Sequence, residues 1–83
     1  MKNISILGST GTIGENTLQV VASFPGKFKV FALTANRNIH KMQRQVLEWK
    51  PRYAVLSCVD SAKILSDNLR EHSDITTEVL GGP

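Results

Sequence analysis

The sequence predicts an α/β fold, a Rossmann-like parallel sheet with strands and helices alternating as β-α-β-α-β-α-β, in the form of an incomplete N-terminal half. Two observations carry this reading. Short apolar runs alternate with segments of helical period along the 83 residues. Such alternation implies parallel strands joined by right-handed crossovers. Glycine also stands at Gly8, Gly11 and Gly14, between the first apolar run and the first helical pattern, where a strand hands over to a helix.

Ile4-Ser5-Ile6-Leu7 is the first strand. Beyond the glycines, Ile13, Thr17, Val20, Val21 and Phe24 fall at i, i+4, i+7, i+8 and i+11, which predicts the inward face of a first helix. Pro25-Gly26 stops it. Val30-Phe31-Ala32-Leu33 is nearly continuous in apolar residues, as expected of a strand covered on both faces. Asn38 suits the N-cap of a second helix, with Ile39, Met42, Val46 and Trp49 on its inner side. Lys50-Pro51 ends that helix and Tyr53-Ala54-Val55-Leu56 is the third strand. Asp60 or Ser61 is the expected cap of a third helix carrying Ala62, Leu65 and Leu69. A weaker strand, Thr77 to Leu80, is placed beyond the third strand at the sheet edge. No internal repeat, linker or low-complexity segment interrupts the pattern. Gly81-Gly82-Pro83 reads as a turn leading onward, and the strands normally found on the far side of the first are absent. The expectation is therefore that residues 1–83 are the opening part of a longer domain.

Composition narrows the function. At 83 residues the chain is at most one small domain with a modest core. No apolar run approaches the ~20 residues of a membrane span, and no cleavable signal pattern precedes the first strand. The single cysteine, Cys58, excludes an internal disulfide and fits a reducing cytosol. A net charge of +3, with Lys and Arg scattered, suits a small anionic ligand better than nucleic acid.

The glycines have separate mechanical tasks in a dinucleotide-binding turn. Gly8 lets the strand turn sharply, and a Cβ there is expected to clash with the turn. Gly11 lets the backbone approach a pyrophosphate, and Gly14 lets the helix pack closely on the strand. The N–H groups of Thr10 to Ile13 are expected to face outward at the positive end of the helix dipole. Ser9, Thr10 and Thr12 add short hydroxyl donors. The spacing is G-x-x-G-x-x-G, so the flanking strand and helix carry as much weight as the glycines. Tight packing alone is the competing explanation of such a triplet. A P-loop needs Lys after the last glycine, where Glu15 stands. The TGxxxGxG spacing of short-chain dehydrogenases is not met, and an RNA-binding GxxG clamp lies between helices rather than after a strand.

The second strand runs into "LTANRNIH", which contains no acid. NAD sites place a carboxylate there for the ribose 2′-hydroxyl, whereas NADP sites offer room and an arginine. Arg37 can pair with the additional phosphate through two hydrogen bonds, flanked by the neutral donors Asn36 and Asn38. NADPH is therefore favoured over NADH, against the plainer reading of Arg37 as a solvated charge and Asn38 as a cap only.

"ILGSTGTIGENTLQVV", "ALTANRNIHKM" and "PRYAVL" closely resemble the N-terminal segment of the 1-deoxy-D-xylulose 5-phosphate reductoisomerase family. The resemblance runs over essentially the whole chain and preserves the spacing between motifs. It implies a much longer enzyme of the non-mevalonate isoprenoid pathway, dependent on NADPH and on Mg2+ or Mn2+. That enzyme rearranges and reduces a sugar phosphate to 2-C-methyl-D-erythritol 4-phosphate, and is a cytoplasmic homodimer. By the same resemblance, the cofactor is held at Thr10, Gly11, Thr12 and Ile13 and at Asn36, Arg37 and Asn38. Two departures stand out. Thr12 replaces the Ser of many relatives and keeps the hydroxyl. Asn36 replaces a common Gly, and Asn tolerates a positive φ.

The family's metal-binding, substrate-phosphate and lid residues belong downstream of residue 83, so no catalytic or metal-ligating residue is expected here. Asp67 and Glu71, at i and i+4, read as a solvated face. His40 and His72 read as structural or exposed, Cys58 as a small residue after a strand, and Met42 and Trp49 as core. The alternatives are another NADP-dependent reductase, of semialdehyde or acyl-phosphate type, and a non-catalytic NADP-sensing module.

Overall fold

The computed structural model describes residues 2–82. Its elements run β1 (Lys2–Ile6), α1 (Thr12–Ala22), β2 (Phe28–Ala35), α2 (Ile39–Trp49), β3 (Tyr53–Leu56), α3 (Val59–Leu69) and β4 (Glu78–Gly81). The sheet is four-stranded and parallel in the order β1-β2-β3-β4. The weak last strand is thus a genuine edge strand beside β3, one residue later than its apolar pattern suggests.

Each crossover steps the same way across the sheet, so all three helices collect on one face. Glu15 of α1 pairs with Lys41 of α2 at 2.6 Å, and Asn68 Nδ2 of α3 donates to Gln43 Oε1 of α2 at 3.1 Å. The molecule is accordingly thin, 34 × 27 × 17 Å, as one sheet and one helical layer require. The core lies between them. Ile6, Val30, Leu33, Ala54 and Leu56 of the sheet meet Leu18, Val21, Met42, Val46, Ala62, Leu65 and Leu69 of the helices. Each large aliphatic side chain so buried contributes about 1.5–3 kcal/mol.

Val30 and Leu33 both face this core although an odd spacing should put them on opposite sides of a strand. A bulge resolves it. The β1–β2 register runs Ile4↔Val30 and then Ser5↔Ala32, so Phe31 is the additional residue and the inward side changes after it. Phe31 joins Tyr53 on the other face in an edge-to-face contact with centroids 5.5 Å apart. Contrary to the expectation of a strand covered on both sides, this face of the sheet carries no helix among the described residues.

Two helix details also differ from the sequence expectation. The buried face of α1 is Gly14, Leu18 and Val21. Ile13 is 83% exposed, Val20 58% and Phe24 48%, and Thr17 is exposed. The helix is therefore rotated by one residue from its apolar pattern, because Gly14 must lie against the preceding turn. The third helix starts earlier than Asp60 or Ser61 suggests, with Cys58 as its N-cap and Asp60 in its first turn. Asn38 does cap α2, its Oδ1 accepting from Lys41 N–H at 3.1 Å. Lys50 closes that helix in the left-handed region at φ 48°, just before Pro51. No helix among the described residues is long and apolar enough to cross a membrane.

Candidate functional site

The turn between β1 and α1 is stitched to the end of β2. Gly8 N–H donates to Thr34 Oγ1 at 3.2 Å, and Ser9 N–H to Thr34 O at 2.8 Å. Gly11 N–H then closes back on Gly8 O at 3.0 Å, and Glu15 N–H donates to Gly11 O at 2.9 Å to begin the helical ladder. The amides of Thr10, Thr12, Ile13 and Gly14 find no acceptor among the described residues. Gly11 is the N-cap and offers no side chain. Unpaired donors at the head of an 11-residue helix, where the macrodipole is positive, make a binding place for an anion. Gly11 itself is spent within the turn, so the outward donors are fewer than the run Thr10 to Ile13 suggests.

Gly8 and Gly14 are required for different reasons. A Cβ on Gly14 would lie 2.2 Å from Gly8 O and 2.6 Å from Ser9 Cα, an overlap with backbone that no rotamer relieves. Gly8 differs from expectation: a Cβ there meets nothing within 4 Å, and the requirement is its φ of +68°. Ser9 also departs from its expected role as a donor. It is fully buried, and its hydroxyl has no partner.

Helix α2 supports the turn from below. Gln45 Nε2 donates to Ser9 O at 2.7 Å in a buried contact, which holds that carbonyl inward. One helical turn earlier, Lys41 Nζ reaches Thr10 O at 3.5 Å while paired with Glu15. Gln45 was detectable in principle, as a polar residue on the stripe of Met42, Val46 and Trp49. Thr34, which seats the turn through its hydroxyl, carries no such signal, because threonine is common in strands.

Asn36, Arg37 and Asn38 follow β2 and are exposed at the same end of the sheet. Arg37 pairs with no carboxylate among the described residues. Asn36 does not use a positive φ; Lys50 is the only non-glycine residue that does among those described. Asn36 is instead held by the loop after β3, where Cys58 N–H donates to Asn36 O at 3.4 Å and the Ser57 hydroxyl contacts Asn36 Oδ1. Cys58 is half-buried. Hydrogen bonds from the Ser61 hydroxyl and backbone amide hold its thiol below the usual range, with a smaller effect from Arg37.

The other titratable candidates lie apart. His40, Asp67 and Glu71 are exposed, His72 is half-buried, and Asp67 pairs with Arg70 at 3.5 Å. Among the described residues no three of His, Cys, Asp and Glu come together to hold a metal ion. The carboxyl end of β1 and β2 thus unites main-chain donors with a guanidinium that pairs with no carboxylate among the described residues, and the one acid in the first turn of α1, Glu15, is paired with Lys41. A dinucleotide bearing an additional phosphate fits that donor set.

Residues 4–83 match the family model of 1-deoxy-D-xylulose 5-phosphate reductoisomerase. The chain belongs to this family. The reductoisomerase of Nitrosomonas europaea is 48% identical over 81 residues, covering 98% of this chain and 19% of that protein. That of Nitrosospira multiformis is 46% identical over 82 residues, covering 99% of this chain and 20% of that protein. Among solved reductoisomerases, one in complex with NADPH, fosmidomycin and magnesium superposes with a TM-score of 0.91 at 27% identity, over 99% of this chain and 20% of its own. The enzyme from Zymomonas mobilis in complex with NADPH gives 0.86 at 27% identity, over 98% of this chain and 21% of its own. The chain spans about a fifth of the length of the reductoisomerases it matches. Family and fold agree with the expectation drawn from the three motifs, and favour it over a semialdehyde-type reductase.

Proposed function

We propose that this chain is the NADPH-binding opening of a 1-deoxy-D-xylulose 5-phosphate reductoisomerase. The free amides at the head of α1 receive the diphosphate, with the Thr10 and Thr12 hydroxyls beside them. Arg37 pairs with the 2′-phosphate, and Asn36 and Asn38 line its approach. Gly8 and Gly14 keep the turn in the shape that exposes those amides, and Gln45 fixes its buried side. Bound there, NADPH supplies a hydride to the substrate. One observation carries the reading: unpaired main-chain donors and an arginine that pairs with no carboxylate among the described residues share one end of the sheet, where Glu15 of the first turn of α1 is paired with Lys41.

In the complete enzyme the sugar-phosphate substrate, the Mg2+ or Mn2+ ligands and the catalytic groups belong to the remaining four-fifths. The helix-free face of the sheet and the exposed Leu7 and Ile13 are surfaces for that remainder to cover. The family resemblance implies a cytoplasmic homodimer, and the isolated segment is inactive on this reading, because hydride transfer needs substrate held against the nicotinamide.

Titration of the full-length protein with NADPH and NADH tests this directly. Tight NADPH binding and weak NADH binding are expected. Arg37→Ala is expected to weaken NADPH binding about 10- to 100-fold, the loss of one charge-assisted contact, with little change for NADH. Equal affinities in the unaltered protein would overturn the assignment.

A further inference from the structure

We infer that Ser57 is a positioning residue for cofactor selectivity, acting through the side-chain amide of Asn36. The inference rests on the NADPH reading above and adds a residue from a different loop.

Asn36 occupies an unsupported place in the chain. β2 ends at Ala35 and the cap of α2 is Asn38, so neither element fixes Asn36 or Arg37. The hold comes from the loop after β3. Ser57 N–H donates to Ala35 O at 3.1 Å and Cys58 N–H to Asn36 O at 3.4 Å. Ser57 Oγ lies 3.3 Å from Asn36 O and also meets Asn36 Oδ1. Two consecutive residues of one loop thus clamp the last residue of β2 and the one after it.

The Ser57 hydroxyl has a single proton and Asn36 Oδ1 is its nearer acceptor, the Asn36 carbonyl at 3.3 Å being the longer contact, which makes the clamp directional. A carboxamide offers an acceptor and a donor, and either end can face a ligand. With Oδ1 turned to the Ser57 hydroxyl, the Nδ2 donor is the end left for the ligand. A donor beside the Arg37 guanidinium suits a phosphate, which only accepts at neutral pH when ionised. An amide turned the other way would present Oδ1, which suits the ribose 2′-hydroxyl of NADH instead. Ser57 therefore favours the 2′-phosphate by occupying the wrong end of the amide.

The test is the ratio of NADH to NADPH dissociation constants in the full-length protein. Ser57→Ala is expected to weaken NADPH binding about five- to tenfold, the loss of one oriented hydrogen bond, and to leave NADH within about twofold. Ser57→Thr, which keeps the hydroxyl, is expected to retain the ratio. In an Asn36→Ala background, Ser57→Ala should change the ratio no further, since the amide it orients is gone. The role of Ser57 is overturned if Ser57→Ala leaves the ratio intact, or lowers it equally in the Asn36→Ala background. An unaltered protein without NADPH preference would overturn the parent reading, and this one with it, by a different result.

Discussion

In the β1–α1 turn the atoms proposed to bind the cofactor are main-chain amides, and a side chain at the wrong place would block them. In the neighbouring β2–α2 loop the atoms proposed to bind are side chains, carried on a backbone that uses no positive φ. The two meet at Thr34, whose hydroxyl and carbonyl both bind the turn two residues before the loop begins. The difference is one of robustness. The turn is a steric solution shared with the core, so its failure is also a failure of folding. The loop is exposed, so on the proposed reading Arg37 can change selectivity while leaving the fold alone, whereas Asn38 also caps α2.

The largest effect is expected where the turn touches the core. Gly14→Ala forces a methyl group into Gly8 O, and should cost about 3 kcal/mol or more, lowering the thermal midpoint and abolishing binding of both dinucleotides. A stable Gly14→Ala protein that still binds NADPH would break the distinction between the two regions. Gln45→Leu comes next. Leaving the Ser9 carbonyl buried without its donor should cost about 1–3 kcal/mol in chemical denaturation, and weaken NADPH and NADH equally. Unequal weakening would mean that the turn, too, reads the 2′-phosphate. In the loop, Asn38→Ala removes the cap of α2 and should cost about 1 kcal/mol. A loss confined to NADPH affinity, without loss of stability, would move Asn38 from the helix to the ligand.

The smallest effect is chemical. Because hydrogen bonds from Ser61 lower the Cys58 thiol, its thiolate persists to lower pH than that of an ordinary cysteine. Alkylation by iodoacetamide should therefore rise with pH around a midpoint below the usual thiol value, and Ser61→Ala should move that midpoint up. An unshifted profile in Ser61→Ala would remove Ser61 as the cause.

The same contrast explains what was legible in the sequence. Helix α2 could be read closely because Asn38, the Met42 and Val46 stripe and Pro51 all point to one placement. Helix α1 could not, since its face is decided by the contact of Gly14 with Gly8 and Ser9 rather than by where its apolar residues lie. Ile13, Val20 and Phe24 pull the periodicity toward a side that the described residues leave exposed. The bulge at Phe31 is likewise set by pairing with β1 and leaves no mark in an apolar run. Arg37 and the glycines stood out because their chemistry is local. Thr34, Gln45 and Ser57 did not, because each acts on a partner more than 20 residues away.

Cofactor binding as proposed depends on main-chain amides gripping a diphosphate, and a crystal structure of the full-length protein with NADPH tests that grip directly. It should place diphosphate oxygens about 2.7–3.2 Å from the amides of Thr12 and Ile13, with the 2′-phosphate on Arg37. A diphosphate seated away from the head of α1 would contradict it.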